Sequence, residues 1–264
     1  MEKLDLTYLN WSKTRNLGGI AGSFLKAYYD NTYYKLSNYD AYKGIFGHEA
    51  INEYVVDKLL DILNIEHVHY ELINADIIIN NKKYNTYLCA SKNYRKENET
   101  KVALDTFYET YAIDGESPID MLTRMGFDDY INNVFLVDFL IVNRDRHGAN
   151  IEIIKDTKNN SIRLAPLFDH GLSLFFSDND FTKIKKSNYL EDKKVQSFLG
   201  GSSLFDNLKL MSKYPKIKKL NLKDYNYMFS DLYDIMPKTW IDNVYNLINK
   251  RIEYYENFTT KKYK

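Results

Sequence analysis

The sequence is poor in cysteine, has no excess of either charge, and lacks long apolar runs. Its single cysteine, Cys89, excludes an intrachain disulfide and a multi-cysteine zinc site, and it is compatible with a reducing compartment. The 36 basic residues balance 36 acidic ones, so we expect no direct binding to nucleic acid. The most apolar stretch, residues 134–142, is interrupted by Asp138 and is far shorter than the roughly 20 residues of a membrane span. We therefore expect a cytoplasmic protein without membrane association.

Hydrophobic periodicity predicts an α+β protein with a strand-rich N-lobe (residues 1–92) and a mainly helical C-lobe (residues 93–264). A helix is predicted over 47–63, where apolar residues repeat at helical spacing. Ser117 followed by Pro118 is typical of a helix start, and further helices are predicted after Phe127 and after Pro237. The predicted strands of the N-lobe are 32–36, 67–72, 75–79 and 84–90, the last two joined by a turn at residues 80–82.

The residues that carry chemistry lie between 143 and 171. Asp145, His147 and Asn150 precede two strand-like segments, 151–156 and 163–168, which predict an antiparallel hairpin. Asp169 follows the second segment, so the hairpin is expected to bring Asn150 and Asp169 together at its open end. An amide oxygen and a carboxylate suit Mg²⁺. Asp145, which lies on the preceding loop, would orient or deprotonate an attacking hydroxyl, as phosphoryl transfer requires.

The string Asp145-Arg146-His147-x-x-Asn150, with Leu167-Phe168-Asp169-His170-Gly171, resembles the HipA-like serine/threonine kinases and, more distantly, the phosphatidylinositol 3/4-kinases. The resemblance implies a two-lobed protein-kinase-like fold with ATP and Mg²⁺ in the cleft. It implies metal binding by Asn150 and Asp169, and hinge contacts to adenine from the segment 87–92, expected to be an edge strand. The residues that it places at the nucleotide are Gly19, Gly22, Ser23, Lys35, Glu53, Cys89, Ser91, Asn150 and Asp169.

The same resemblance implies transfer of the γ-phosphate of Mg-ATP to a serine or threonine hydroxyl of a protein, with Asp145 accepting the proton. His147 would either assist proton transfer or brace the loop. Some HipA-like kinases phosphorylate themselves in the glycine-rich loop, which makes Ser23 a candidate. Lys35 would hold phosphate oxygens and pair with Glu53 or, one turn earlier, Glu49. A lysine on an edge strand is otherwise commonly solvated.

Two other functions stay open at the level of sequence: a kinase for a lipid or small molecule, and a non-catalytic nucleotide-sensing module of a toxin–antitoxin-like system. No DNA-binding helix-turn-helix is evident, so an antitoxin-like partner would be a separate protein. Arg146 and Asp138 are interpreted as structural residues that brace the catalytic loop. His67 and His69 share one face of a predicted strand and form a possible metal pair, but no third ligand is visible, so we predict no metal site there.

Overall fold

The computed structural model describes residues 2–12, 24–177, 181–184 and 188–262. A five-stranded mixed sheet forms in the N-terminal third, in the order β1-β6-β7-β3-β2. β1 runs parallel to β6, and the other neighbours are antiparallel. A short hairpin, β4 and β5, follows β3. These strands are β1 (Lys3–Asp5), β2 (Lys26–Tyr29), β3 (Thr32–Leu36), β4 (Asn38–Asp40), β5 (Gly44–Phe46), β6 (Glu71–Ile79) and β7 (Lys82–Lys92).

The turn between β6 and β7 confirms the predicted hairpin. Asn80 and Asn81 have φ values of 49° and 61°, the left-handed pair that a two-residue hairpin turn requires. The predicted strand over 67–72 is wrong except at its last two residues, since β6 begins only at Glu71. The backbone N–H of Tyr70 donates to the carboxylate of Asp57 (3.0 Å) instead of joining a strand ladder.

β7 lies in the middle of the sheet, which corrects the expectation of an edge strand. It pairs with β6 on one side and with β3 on the other. The reason is the apolar run Leu88-Cys89-Ala90, whose three side chains are all buried, as fits a central strand. Lys35 lies opposite Cys89 in this register, so the lysine stands inside the sheet and not at its edge.

The predicted N-lobe helix is confirmed as α1 (Glu49–Leu63). It begins two residues later than the sequence pattern suggests, because Gly47 has a φ of +79°, which no helix accommodates. Val55, Leu59 and Leu60 are fully buried, so the middle of the helix is packed into the core. Asn64 ends the helix in a left-handed conformation.

The rest of the described chain is mainly helical around a three-stranded sheet, in the order β11-β10-β8, and β12 pairs with β9 in a parallel two-stranded sheet. α4 packs against α8 and is almost entirely buried from Val134 to Ile141. α3 begins with the predicted Ser117 cap, and α8 confirms the predicted final helix. The elements are β8 (Glu99–Ala103), α2 (Leu104–Tyr111), α3 (Pro118–Arg124), α4 (Asp128–Ile141), β9 (Asp145–Arg146), β10 (Glu152–Asp156), β11 (Ser161–Leu164), α5 (Phe181–Ile184), β12 (Gln196–Ser197), α6 (Leu204–Lys209), α7 (Leu222–Phe229) and α8 (Lys238–Lys262).

The hairpin of β10 and β11 forms, but its register differs from the prediction. Ile153 faces Leu164, and continuing that register would place Asn150 opposite Leu167 and not opposite Asp169. β11 ends early because Pro166 has no N–H to donate to a ladder. Leu167 then pairs with the segment before β6, and its carbonyl accepts the N–H of Val68 (2.8 Å). Within the described ranges, no helix combines the length and apolar character needed to cross a bilayer.

Candidate active site

Two buried charged residues and one partly buried one, which we call the lysine cluster (Lys35, Glu53 and Asp169), lie between β3, α1 and the segment after β11. The Nζ of Lys35 donates to Glu53 Oε1 at 2.5 Å and also to Asp169 Oδ1. Burial alone would lower the pKa of Lys35, but the carboxylates of Asp169 and Glu53 outweigh it and raise this pKa above its ordinary value. Lys35 is therefore a permanent ammonium. Lys26 adds a second positive charge, with its Nζ 4.0 Å from Asp169 Oδ2.

The two glutamates proposed as partners of Lys35 occupy different surroundings. Glu53 is fully buried, and besides Lys35 it accepts the backbone N–H of His170 at 2.8 Å. Glu49 instead accepts from the side chain of Asn38 (3.0 Å), and burial raises its pKa. The structure thus places Glu53, and not Glu49, in the hydrogen-bonded pair with Lys35.

The turn Asp169-His170-Gly171 is docked on α1. Asn52 Nδ2 donates to the carbonyl oxygens of Gly171 and Ser173, at 3.0 Å each. Gly171 approaches the helix so closely that an added Cβ would lie 3.2 Å from Glu49 Cβ. The positive φ of Asp169 (60°) turns the chain at this point. One helix therefore fixes both the lysine and the turn that carries Asp169.

The loop around Asp145 is held by the buried guanidinium of Arg146. Arg146 pairs with Asp138 (2.8 Å) and donates through Nη1 to the carbonyl oxygens of Asn150 (3.1 Å) and Phe168 (2.8 Å). One nitrogen atom thus joins the Asn150 backbone to the residue before Asp169. The guanidinium of Arg146, and not the hairpin register, therefore explains why the segments of Asn150 and Asp169 are neighbours. These contacts also agree with the interpretation of Arg146 and Asp138 as structural residues.

Asp145 is partly exposed, and burial raises its pKa although the neighbouring His147 opposes the shift. His147 Nε2 lies 3.7 Å from Asp145 Oδ2. His147 Nδ1 accepts the N–H of Ala149 (3.2 Å), so the neutral ring carries its hydrogen on Nε2, facing Asp145. The geometry is compatible with both readings of His147, because the ring braces the loop and also faces the carboxylate.

The donor atoms at Asn150 and Asp169 fit a magnesium ion. Asn150 Nδ2 donates to the carbonyl oxygen of Asp145 (2.9 Å), so Oδ1 is the atom that the amide would offer to a metal. Asp169 contributes carboxylate oxygens that already face the ammonium groups of Lys35 and Lys26. Two hard oxygen donors match the preference of Mg²⁺.

A cleft of about 340 Å³ opens beside the lysine cluster. Ser91, at the end of β7, is half-buried on its lining. Cys89 is fully buried, and burial raises the pKa of its thiol, so it serves as packing beneath the cleft. Gly19, Gly22 and Ser23 lie outside the described residues. Other lining residues are Lys26, Tyr33, Tyr34, Lys35, Val68, Tyr70, Lys92, Phe168 and Asp169.

Three further residues of this cleft escaped the sequence interpretation. Glu152 is buried, accepts from Lys101 Nζ (2.9 Å) and also accepts the hydroxyl of Tyr94. The ring of Tyr94 lies 6.3 Å from that of Phe168. The signal in the sequence is Glu152 itself, a charged residue within the apolar run Ile151 to Ile154 just after Asn150. Tyr94 and Lys101 carry no comparable signal, because only the fold brings them to Glu152.

No family model matches the chain. In sequence, it is 21% identical over 265 residues to the serine/threonine-protein kinase CtkA of Helicobacter pylori, covering 94% of this chain and 79% of that protein. The crystal structure of the Helicobacter pylori proinflammatory kinase CtkA superposes with a TM-score of 0.66 at 17% identity, covering 98% of this chain and 99% of the other. A weaker match is HipA of Shewanella oneidensis MR-1, with a TM-score of 0.49, 12% identity and coverage of 92% and 66%. The CtkA match confirms the predicted α+β kinase-like fold.

Proposed function

We propose, on the premise that this chain is a serine/threonine-protein kinase of the HipA-like type, that it transfers the γ-phosphate of Mg-ATP to a serine or threonine hydroxyl of a protein. The observation that carries this proposal is the lysine cluster beside the Asp145 loop. Phosphoryl transfer relies on positioning and charge stabilisation. These residues supply an ammonium, a carboxylate to bind the metal, and a carboxylate to accept the proton of the substrate hydroxyl. The sequence relationship to a serine/threonine-protein kinase supports the same reaction.

In this reaction the Lys35 ammonium would turn from Asp169 towards phosphate oxygens, while its hydrogen bond to Glu53 stays in place. Asp145 would orient the substrate hydroxyl and accept its proton as the oxygen bonds to the γ-phosphorus and ADP leaves. The raised pKa of Asp145 makes it a better proton acceptor than an ordinary aspartate. Asn150 and Asp169 would hold Mg²⁺, which neutralises charge on the phosphates.

The nucleoside would occupy the cleft between Ser91, Tyr94 and Phe168. The support is its lining, which combines apolar and aromatic walls with a few polar groups, as nucleotide sites do. Gly19 and Gly22 would contact phosphate, and self-phosphorylation of Ser23 would place phosphate on the 16–26 peptide after incubation with ATP, as mass spectrometry would detect. The division into lobes near residue 92, a separate antitoxin-like partner and a cytoplasmic location stay predictions.

The function is tested by incubating the protein with radiolabelled ATP alone, with cell lysate and with lipid extract. Label on proteins of the lysate, lost in Asp145→Asn, is the expected result. Label confined to lipid or small molecules would favour the alternative kinase, and nucleotide binding without any transfer would favour the non-catalytic module. Phosphoamino-acid analysis of labelled protein checks that the acceptor is serine or threonine.

A further inference from the structure

A second group of ionisable side chains, which we call the imidazole cluster (Asp57, Asp61, His67 and His69), lies at the C-terminal part of α1. One ligand atom from each residue lies within 4.8 Å of all the others. Asp57 Oδ1 is 3.1 Å from His67 Nε2 and 3.3 Å from His69 Nδ1. Asp61 Oδ1 is 3.8 Å and 3.7 Å from the same two nitrogens. The expectation that the two histidines lack further ligands is therefore wrong, because the helix supplies two carboxylates.

These distances fit a tetrahedral metal site. Zinc binds histidine nitrogen and carboxylate oxygen at about 2.0–2.2 Å, which puts neighbouring ligand atoms of a tetrahedron roughly 3.3–3.6 Å apart. The four nitrogen–oxygen distances of the cluster, 3.1 to 3.8 Å, fall around that range. All ligand atoms lie within 4.8 Å of one another, so small side-chain rotations that shorten the longest separations would place all four donors around one ion.

The remaining polar atoms of His67 and Asp61 are held in place, as the outer shell of a metal site requires. His67 Nδ1 lies 2.7 Å from the carbonyl oxygen of Ile65, and when it donates there the neutral ring directs the lone pair of Nε2 towards Asp57. Asp61 Oδ2 accepts the hydroxyl of Tyr227 at 2.7 Å. A lone pair and a carboxylate 3.1 Å apart require a cation between them, either a proton or a metal.

We propose that Asp57, Asp61, His67 and His69 bind a divalent transition metal, foremost Zn²⁺, with tetrahedral geometry. Two imidazoles with two carboxylates favour zinc over Mg²⁺ and Ca²⁺, which prefer oxygen donors alone. The side chain of His69 is 73% exposed, so the ion has a route from solvent. Asp57 and His67 are buried, so the ion would be partly enclosed. A bound metal would link α1 to the segment before β6 and, through Tyr227, to α7.

The proposal is tested by titrating nucleotide-free protein with Zn²⁺ and Co²⁺ in excess Mg²⁺, which occupies oxygen-only sites. One equivalent of Zn²⁺ by calorimetry and the strong visible absorption of tetrahedral cobalt are expected. His69→Ala and Asp61→Asn should each weaken binding by more than about 100-fold, since even outer-shell changes cost about 10–100-fold. The adjacent exposed carboxylate provides the matched control, Glu66→Gln, which should bind as wild type does.

Asp169→Asn separates this site from the nucleotide site and should retain the cobalt spectrum. His69 is exposed, so its removal leaves the fold intact and a lost signal reports the ligand itself. Absence of stoichiometric binding would show that His67 and Asp57 form only a proton-bridged ion pair. Equal affinity in wild type and His69→Ala, or loss of binding in Asp169→Asn, would also overturn the proposal.

Discussion

Two ionisable clusters lie along α1, and they differ in the kind of donor that each collects. Glu53 and Asp57 stand one helical turn apart. The lysine cluster places one ammonium within hydrogen-bonding distance of two carboxylates. The imidazole cluster places two imidazoles around two carboxylates. With neutral imidazoles, the imidazole cluster holds more negative than positive charge and favours the approach of a cation, whereas Lys26 balances the remaining negative charge of the lysine cluster.

The donor atoms of the two clusters determine which cation each would bind. Around Asp169 the proposed ligands are oxygens only, which suits a magnesium ion that also binds phosphate. Around Asp57 the nitrogens of His67 and His69 add borderline donors, which suit zinc. In the proposed reaction, the ammonium of Lys35 would exchange a carboxylate for a phosphate oxygen. The same helix would thus serve catalysis at one position and metal binding one turn later.

Removal of the lysine ammonium should produce the largest combined loss of transfer and stability. Lys35→Met is expected to lower phosphoryl transfer by about 10²–10³-fold, the usual effect of deleting one charge-stabilising donor. It should also destabilise the fold by about 3–5 kcal/mol, because Glu53 is left buried without its cation. Initial rates and chemical denaturation measure the two effects.

The double variant Lys35→Met/Glu53→Gln separates these two effects. Removing the orphaned charge should recover much of the stability without restoring transfer. Recovery of transfer would contradict the role of Lys35 at the phosphates and would transfer that role to another cation, such as Lys26. Wild-type activity in folded Lys35→Met would also contradict this role.

Arg146→Gln should rank next, with its main effect on stability. Arg146 is 1% exposed and pairs with Asp138, so we expect a loss of about 3–5 kcal/mol in the free energy of unfolding. The surface pair of Arg124 and Glu116 offers the matched control. The side chain of Arg124 is 43% exposed, and Arg124→Gln should cost less than about 1 kcal/mol. Equal losses in urea denaturation would show that Arg146 does not clamp the loop.

His69→Ala in metal-free protein should have the smallest effect. An exposed side chain at the edge of the imidazole cluster contributes less than about 0.5 kcal/mol to stability. In excess Zn²⁺ the same substitution should remove the rise in melting temperature that the metal gives to wild type. A zinc-dependent rise of equal size in both proteins would contradict the assignment of His69 as a ligand.

Local signals account for most of the predicted elements. The helical spacing of apolar residues indicates α1 and α8, the Ser117-Pro118 cap indicates α3, and the asparagine pair indicates the turn between β6 and β7. The position of β7 in the sheet could not be read in this way, because strand order depends on pairing between distant segments. Its buried run at Leu88-Cys89-Ala90 is the one local sign of a central strand.

The site residues show the same distinction between local signals and contacts of distant segments. The motif around Asp145 and Asp169 is local in sequence, so its candidates could be named. The guanidinium that joins the two segments could be identified as structural, but its contacts to Asn150 and Phe168 could not. The imidazole cluster was missed because its carboxylates lie on a helix and its histidines on an irregular segment, and sequence periodicity does not relate the two.

The most direct test of the proposed kinase mechanism compares Asp145→Asn with Asp169→Asn by thermal shift and by transfer rate. Asp145→Asn should lose transfer by about 10²–10⁴-fold and keep the extra stabilisation that Mg²⁺ adds to nucleotide binding. Asp169→Asn should lose both. Ligand at roughly 100 times its dissociation constant adds about 2.7 kcal/mol to the free energy of unfolding. The melting temperature rises by about 2–4 °C per kcal/mol, so the shift is measurable. If Asp145→Asn loses the extra stabilisation by Mg²⁺ and Asp169→Asn keeps it, Asp145 is the metal ligand and Asp169 is the proton acceptor. Wild-type rates in both would contradict the kinase mechanism itself.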